Sequence, residues 1–295
     1  MDKQEFLADG FEAHRPHLKA VAYRMLGSLS EADDAVQEAW LRLNRTDTSD
    51  VQNLGGWLTT VVGRVCLDLL RRRNARREAP YETHLPDPIV SRQETVNPED
   101  EVLIADSVGL ALLVVLESLG PAERLAFVLH DLFGVPFEEI ATILQRSVPA
   151  SKQLASRARR RVRTAAPAPD PDLALQRRVV EAFQAASRDG DFAALVALLH
   201  PDVVLRADRG LIAGAGWTEI HGAAAVAGQA LTFRRLSAFQ LPVLVNGNAG
   251  VITVADGQPM AVMSFTITGG KVVAIDILAD PARLRKLDID VLGGD

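Results

Sequence analysis

The sequence predicts a multi-domain chain of 295 residues: two all-α helical domains, the second with a helix-turn-helix, followed by an α+β domain. Three observations predict it. Apolar residues recur at three- and four-residue spacing through residues 1–165. Two Pro-rich stretches, near 81–104 and 166–176, interrupt that pattern. Beyond them the chain changes to short apolar runs separated by turn residues. The expected division is 1–80, a linker at 81–104, 105–165, a second linker at 166–176, and 177–295.

In the first domain, Phe6, Leu18, Val21, Ala22, Met25 and Leu26 form one apolar face, and Gly27 ends that stretch. Ser30 is the expected N-cap of the next helix, with Asp33 three residues on. That helix turns Ala32, Val36, Ala39, Trp40 and Leu43 inward and Asp33, Asp34, Gln37 and Glu38 outward. A polar loop at 44–52 follows. A third helix carries the stripe Leu54, Leu58, Val61, Val65 and Leu69 opposite Thr60, Arg64, Asp68 and Arg71.

In the second domain an apolar helix over 102–119 stops at Gly120-Pro121, and a helix from Pro121 to Leu132 stops at Gly134-Val135-Pro136. A short helix over 137–144, a turn at 145–147 and a final helix from Val148 into an arginine run complete a helix-turn-helix pattern. Small Ala141 permits close approach, and Ile140, Ile143, Leu144 and Leu154 pack the pair. The second helix of the pair exposes Ala150, Lys152, Gln153, Ser156, Arg157 and Arg160. Residues at its N-terminal end suit base edges in a major groove and its arginines suit phosphates. The third domain opens with helices over 173–187 and 191–199. Strands follow at 203–206, 241–245, 250–254, 260–268 and 271–278, with hairpin turns at Asp256-Gly257 and Gly269-Gly270.

Hydrophobic residues make up 48% and charged residues 24% of the chain, which excludes pervasive disorder. No apolar run approaches the roughly 20 residues of a membrane-spanning helix, and the Met1-Asp-Lys-Gln-Glu start has no apolar signal core. The single cysteine, Cys66, excludes an internal disulfide scaffold, and a cytoplasmic setting is expected. The net charge is -6, yet arginines bunch at 71–77 and at 157–163. Such a chain is repelled from DNA at long range and grips it locally only when a partner holds it there. The histidines have no metal-ligand spacing with Cys66, so neither metal nor cofactor is expected.

Three strings carry a specific resemblance: Ala32-Asp-Asp-Ala-Val-Gln-Glu-Ala-Trp-Leu-Arg, Gly56-Trp-Leu-Thr-Thr-Val-Val-Gly-Arg-Val-Cys-Leu-Asp-Leu-Leu-Arg-Arg-Arg, and Gly120-Pro-Ala-Glu-Arg-Leu-Ala-Phe-Val-Leu-His-Asp-Leu-Phe-Gly. In order and spacing the first 165 residues resemble an extracytoplasmic-function (ECF) sigma factor of bacterial RNA polymerase, within the sigma-70 family. The resemblance implies that region 2 lies in 1–80 and region 4 in 105–165. It implies partners in core RNA polymerase (its clamp helices and flap) and promoter DNA, and no catalysis by the chain itself. It assigns Asp33, Asp34, Gln37, Glu38 and Leu41 to the polymerase. Asn53, Trp57, Thr60, Arg64, Asp68 and Arg71 fall to the −10 element, with the loop at 44–53 as a base pocket. Ser147, Lys152, Gln153, Ser156, Arg157 and Arg160 fall to the −35 element.

The third domain resembles the SnoaL-like, NTF2-like cone appended to the sigma-J and sigma-I type of these factors, through its opening helices and Leu198-Leu-His-Pro-Asp-Val-Val-Leu. That type carries a linker motif matched by His84-Leu-Pro-Asp-Pro-Ile, with His84 replacing a tryptophan. Asp208-Arg-Gly-Leu and Asp280-Pro-Ala-Arg-Leu echo two further motifs. The resemblance implies regulation in cis through Leu85, Pro86, Asp87, Pro88, Asp208, Asp280, Pro281 and Leu284. An NTF2-like cavity also leaves room for a small ligand. The alternative reading is an NTF2-like enzyme or ligand sensor tethered to a DNA-binding helical module. Its acid/base candidates are Asp208, His221, Asp256 and Asp276, and Phe183, Trp217, Phe233 and Phe265 are its candidate pocket wall.

Overall fold

The computed structural model describes residues 3–46, 51, 53–76, 84–91, 109–165, 168–210 and 216–287. The chain forms two compact units, Met1–Tyr81 with Val115–Ala165, and Glu82–Val114 with Ala166–Asp295.

The first unit begins with α1 (Lys3–Leu26), α2 (Leu29–Arg45) and α3 (Leu54–Arg76). Gly27, at φ 69°, ends α1, and its N–H closes on the Tyr23 carbonyl at 2.8 Å. Only Gly27 and Ser28 separate the two helices, so Ser28 occupies the N-cap position of α2. This corrects the expected cap at Ser30, which lies within the first turn, its Oγ 3.2 Å from that of Ser28. Ala32, Ala35, Val36, Ala39 and Leu43 form the buried side of α2, and Trp40 tilts onto Phe11 at 5.0 Å. The side chain of Phe6 lies outside the described residues.

Helix α3 is buried on more than its expected stripe. Besides Leu58, Val61 and Val65, it buries Val62, Cys66, Leu67 and Leu70. The second set faces the later helices of the unit: α5 (Pro121–Phe127), which continues into a π-helical turn (Val128–Leu132), and α6 (Phe137–Leu144). Gly63 lies at this approach, where a methyl group would be in ordinary contact with Leu129 at 3.4 Å and Ile143 at 3.7 Å.

Arg124 of α5 is fully buried at this contact. Its Nη1 pairs with Glu117 at 2.9 Å, at the end of α4 (Leu110–Glu117). Its Nε and Nη2 both donate to the Arg24 carbonyl at 3.2 Å, satisfying an acceptor left over at the end of α1. Arg24 is itself buried, with its guanidinium 5.0 Å from the Phe133 ring centroid. Of the apolar helix expected over 102–119, residues 101–108 lie outside the described ones.

The second unit is an α+β domain, a curved mixed sheet with helices on one face. Its seven strands are β1 (Val90–Ser91), β2 (Leu199–Asp208), β3 (Trp217–His221), β4 (Gln240–Val245), β5 (Asn248–Ala255), β6 (Gln258–Thr268) and β7 (Lys271–Leu278). They lie in the order β1-β4-β5-β6-β7-β2-β3, antiparallel except where β2 meets β7. The turns Asn246-Gly247, Asp256-Gly257 and Gly269-Gly270 each have both central residues at positive φ, as tight primed hairpins require. All five expected strands are present, β7 with the expected bounds and the other four longer; β1, β3 and α10 (Ala223–Thr232) are additional.

Helix α8 (Leu173–Asp189) is capped by Asp172, whose carboxylate accepts from the N–H groups of Ala174 and Leu175. With α9 (Phe192–Leu198) and α10 it packs on one sheet face over Val180, Phe183, Leu195, Leu205, Phe265 and Ile275. Alternation along each strand sends the next residues to the opposite face. There Val243, Val245, Ile252, Val262 and Leu278 meet Leu85, Val90 and, from α11 (Pro281–Leu284), Leu284. Residues 84–91, expected within the linker at 81–104, are thus part of this unit's second core.

Two outcomes follow. Arg124→Ala leaves Glu117 and the Arg24 carbonyl without their donor and lowers stability by about 2–3 kcal/mol in urea denaturation. Burial pushes the Cys66 thiol up to about 12. At about pH 8 a thiol reagent therefore labels it only on unfolding, and fast labelling of the folded chain would contradict that burial.

Candidate nucleic-acid interface

Three surfaces and one buried node carry the expected functional residues. On α2, Asp33, Asp34, Gln37 and Leu41 are exposed, and Glu38 is half-buried. The i, i+4 rhythm of the helix places them side by side. Asp33 pairs with Lys19 at 2.9 Å, and Glu38 accepts from Arg42 Nε at 2.9 Å. Between α2 and α3 runs a groove of about 350 Å³ lined by Asp34, Glu38, Arg42, Asp68 and Arg72 on a floor that includes Val65. Asp68, expected with the −10 residues, therefore shares a groove with the α2 acids. Arg42 and Arg72 belong to it and were not singled out in the sequence, since only the packing of two helices brings them to one cleft.

On α3, Asn53, Trp57, Thr60, Arg64, Asp68 and Arg71 recur every three or four residues and form one face. Arg64, Asp68 and Arg71 are exposed, and Trp57 and Thr60 are half-buried. Asn53 is committed to the helix start, with its Oδ1 accepting from the Gly56 N–H at 3.0 Å. Most of the expected pocket loop, 47–50 with Gln52, lies outside the described residues. The arginine bunch that follows does not act as one. Arg73 pairs with Glu31 and donates to the Leu26 carbonyl, while Arg71 and Arg72 remain exposed. Arg77 and the side chain of Arg76 lie outside the described residues.

The helix-turn-helix consists of α6, a turn with Gln145 at φ 55°, and α7 (Val148–Ala165). Ile140, Ala141, Ile143 and Leu144 are buried in it. Ser147 precedes α7, and its Oγ accepts from the Ala150 N–H at 3.3 Å. Lys152, Gln153, Ser156, Arg157 and Arg160 share one exposed face. Lys152 Nζ stands 5.7 Å from the Phe137 ring centroid. The basic run is split by its neighbours. Arg159 binds Asp131 at 2.6 Å and Arg161 approaches Glu123 at 3.4 Å. The hydrogen bond to Asp131 raises the pKa of Arg159 further. Arg157, Arg160 and Arg163 form no ion pair among the described residues, so the outward charge is theirs.

The buried node lies at the end of β2. Asp208 Oδ2 accepts from the Leu85 N–H at 3.0 Å and from Arg283 Nη1 at 2.7 Å, and its Oδ1 accepts from the Gly210 N–H at 3.2 Å. His84 Nδ1 is 3.4 Å away. Arg283 also donates to the Leu85 carbonyl and to Asp87 Oδ1, each at 2.5 Å. Burial opposes ionisation of Asp208, but the hydrogen bonds from His84, Gly210 and Leu85, with the Arg283 charge, outweigh it and hold the carboxyl below the ordinary range. Pro86 and Pro88 are buried beside it. Asp280 caps α11 through the Ala282 N–H at 2.8 Å. It also abuts Gly210, where a Cβ would stand 2.6 Å from its carboxylate. Pro281 opens α11 and Leu284 is buried beneath it. Arg283, the centre of this network, was visible in the sequence only as the cation of the Asp280-Pro-Ala-Arg-Leu string.

The four acid/base candidates do not converge. Asp208 is occupied by the linker. Asp276 lies on the same sheet face, fully buried against Arg206 at 2.9 Å, and burial pushes its carboxyl up despite that arginine. His221 is exposed beside Glu219 at 2.9 Å, and Asp256 occupies a hairpin turn. Of the four aromatics, Phe183 and Phe233 line the cavity on the other face; Phe265 packs edge-on to Phe183, and Trp217 joins the Leu85 cluster. Among the described residues no three His, Cys, Asp or Glu side chains gather as metal ligands, and no helix is long and apolar enough to cross a membrane.

The comparisons with known proteins agree with this geometry. Residues 11–76 match Sigma-70 region 2 and residues 109–162 match Sigma-70, region 4. The chain is 42% identical over 287 residues to the ECF RNA polymerase sigma factor SigJ of Mycobacterium tuberculosis, covering 92% of this chain and 91% of that one. It is 35% identical over 303 residues to the probable ECF RNA polymerase sigma factor SigI of the same species, with both covered in full. The crystal structure of M. tuberculosis SigJ superimposes with a TM-score of 0.77 at 36% identity, over 96% of this chain and 99% of that one. The chain belongs to the ECF sigma factors of RNA polymerase, and its function is promoter recognition and transcription initiation.

Proposed function

We propose the following division of labour for initiation. The α2 face Asp33, Asp34, Gln37, Glu38 and Leu41 binds the polymerase clamp helices. Asn53, Trp57, Thr60, Arg64, Asp68 and Arg71 serve the −10 element, where unpaired bases need a pocket and backbone cations. Ser147, Lys152, Gln153, Ser156, Arg157 and Arg160 serve the −35 element, bases first and phosphates behind. The chain works in the cytoplasm, catalyses no reaction itself, and leaves the chemistry to the polymerase. The observation that carries the −35 assignment is the exposed Lys152–Arg160 face, left charged while Arg159 and Arg161 are spent on Asp131 and Glu123.

The cone regulates this activity in cis. The two promoter elements lie roughly 85 Å apart on duplex DNA at about 3.4 Å per base pair. In the first unit α3, assigned to the −10 element, meets α5 and α6, the helices that support the −35 helix α7, around Gly63, Leu129 and Ile143. Engagement of both elements therefore requires that contact to open. The chain between the two regions must lengthen to allow it, and residues 84–91 are held by Asp208, Arg283 and the edge of β4. Release of this segment increases reach; retention limits it.

Run-off transcription with core polymerase tests the assignment. Asp34→Arg with Glu38→Arg abolishes initiation by loss of polymerase binding. Lys152→Ala with Arg157→Ala weakens −35 binding and flattens its salt dependence by about two units of slope. An unchanged salt slope would remove those residues from the phosphate contacts. For the cone, Asp208→Ala frees the linker without touching either DNA face and changes the transcription rate, and an unaltered rate would rule out control in cis. Because the folded pKa of Asp208 is depressed, its stabilisation is present above the ordinary carboxylate range and disappears as pH falls through the folded value. Proteolysis of residues 84–91 accordingly rises on acidification in the wild type and is already fast in Asp208→Ala at neutral pH.

A further inference from the structure

The cone encloses, on the face away from the linker, a cavity of about 190 Å³. Phe183, Leu205, Met263, Ile275 and Ile277 form its wall, with Phe233 at its entrance. A purely apolar cavity of about 150 Å³ stays dry and accepts benzene. This one is slightly larger and carries a few polar groups, from Ser187, Gln229, Gln240 and Thr253. Sparse polar groups on an apolar wall are the usual make-up of a small-molecule site.

One charged side chain, Arg209, lines it, one residue beyond the end of β2. Its guanidinium carbon lies 5.4 Å from the Phe233 ring centroid, and no carboxylate among the described residues pairs with it. A guanidinium resting on an aromatic face keeps its N–H edge available for a second, planar partner. Around the entrance, Phe233, Leu236 and Met260 are 44%, 43% and 51% exposed. Large apolar side chains exposed at a cavity mouth hold water against apolar surface, and an apolar occupant that covers them releases it.

We propose that this cavity is a binding site for a small cyclic organic acid of one or two rings. The ring occupies the apolar interior beneath Phe233, and the carboxylate meets the Arg209 fork. A neutral hydrocarbon leaves that guanidinium partly desolvated without a counter-charge. A peptide or a long acyl chain exceeds the volume. The site is distinct from the promoter-binding faces and does not depend on the regulatory role of the linker.

Calorimetric titration of the full-length chain with benzoate, 1-naphthoate and indole-3-acetate, each beside its neutral amide, tests the proposal. At least one acid binds saturably at one site, and its amide binds about tenfold more weakly. Arg209→Gln reduces the acid to the level of its amide without moving the thermal midpoint. Ala261→Leu, which fills the cavity from β6, removes binding of both. Absence of saturable binding by all three acids, equal binding of acid and amide, or an Arg209→Gln chain that binds as the wild type does would each overturn it.

Discussion

The second unit depends on one buried carboxylate. Asp208 collects donors from three stretches of chain that are remote in sequence: His84 and Leu85, its neighbour Gly210, and Arg283. Each donor closes a different path. The Leu85 N–H fixes the height of the linker above the sheet. Arg283 ties α11 to both linker and strand through its two additional bonds to Leu85 and Asp87. A buried network of this kind is stable only when every member is satisfied, and loss of one member leaves the others stranded. This is why a Pro-rich segment with little secondary structure of its own can be held as firmly as a strand. The two prolines contribute no N–H groups, so only Leu85, Asp87 and Ile89 offer donors there. Leu85 and Ile89 are served by Asp208 and Asn246.

The first unit is organised by the opposite problem, which is to limit positive charge. The chain is acidic in sum. Arg24, Arg73, Arg124, Arg159 and Arg161 are spent on internal carbonyls, rings or carboxylates. Among the cations that remain outward are Lys152, Arg157, Arg160 and Arg163 on α7 and Arg64, Arg71 and Arg72 on α3. Such small basic areas attract DNA only over about a Debye length, near 10 Å. An acidic α2 face beside them adds a repulsive field toward the phosphate backbone.

Local signals carried most of the fold. The helix-turn-helix was legible because its turn, its small Ala141 and its apolar spacing all lie within twenty-odd residues, and no distant contact alters them. The hairpins were legible from Gly-bearing dipeptides alone. Distant contacts were not. The second buried face of α3 arises because α5 and α6 lie against it, and its Val62, Cys66 and Leu67 read locally as ordinary filling. The edge strand β3 was missed because Trp217-Thr-Glu-Ile-His alternates weakly and only one of its sides is covered. The cap falls at Ser28 and not at Ser30 because the interhelical turn is only Gly27 and Ser28.

The acid/base candidates show how strand parity separates structural from ligand-facing residues. In β2, Leu205 and Ala207 face the cavity, so Arg206 and Asp208 face the linker; in β7, Ile275 and Ile277 face the cavity, so Asp276 does not. The expected strand stopped at Arg206, so this parity reaches Asp208 only because β2 extends to it, and which face holds the cavity is set by where α8 to α10 pack. Arg209, which lines the cavity, is one peptide bond from Asp208. The Ala279 N–H, from a second cavity-lining residue, is bonded to the Asp208 carbonyl at 2.7 Å. Two faces that share no side chain therefore share a backbone at the point where each is most polar. Arg209 moves about its own side-chain torsions, so occupancy of the cavity leaves the Asp208 carboxylate in place unless the backbone at the end of β2 itself turns.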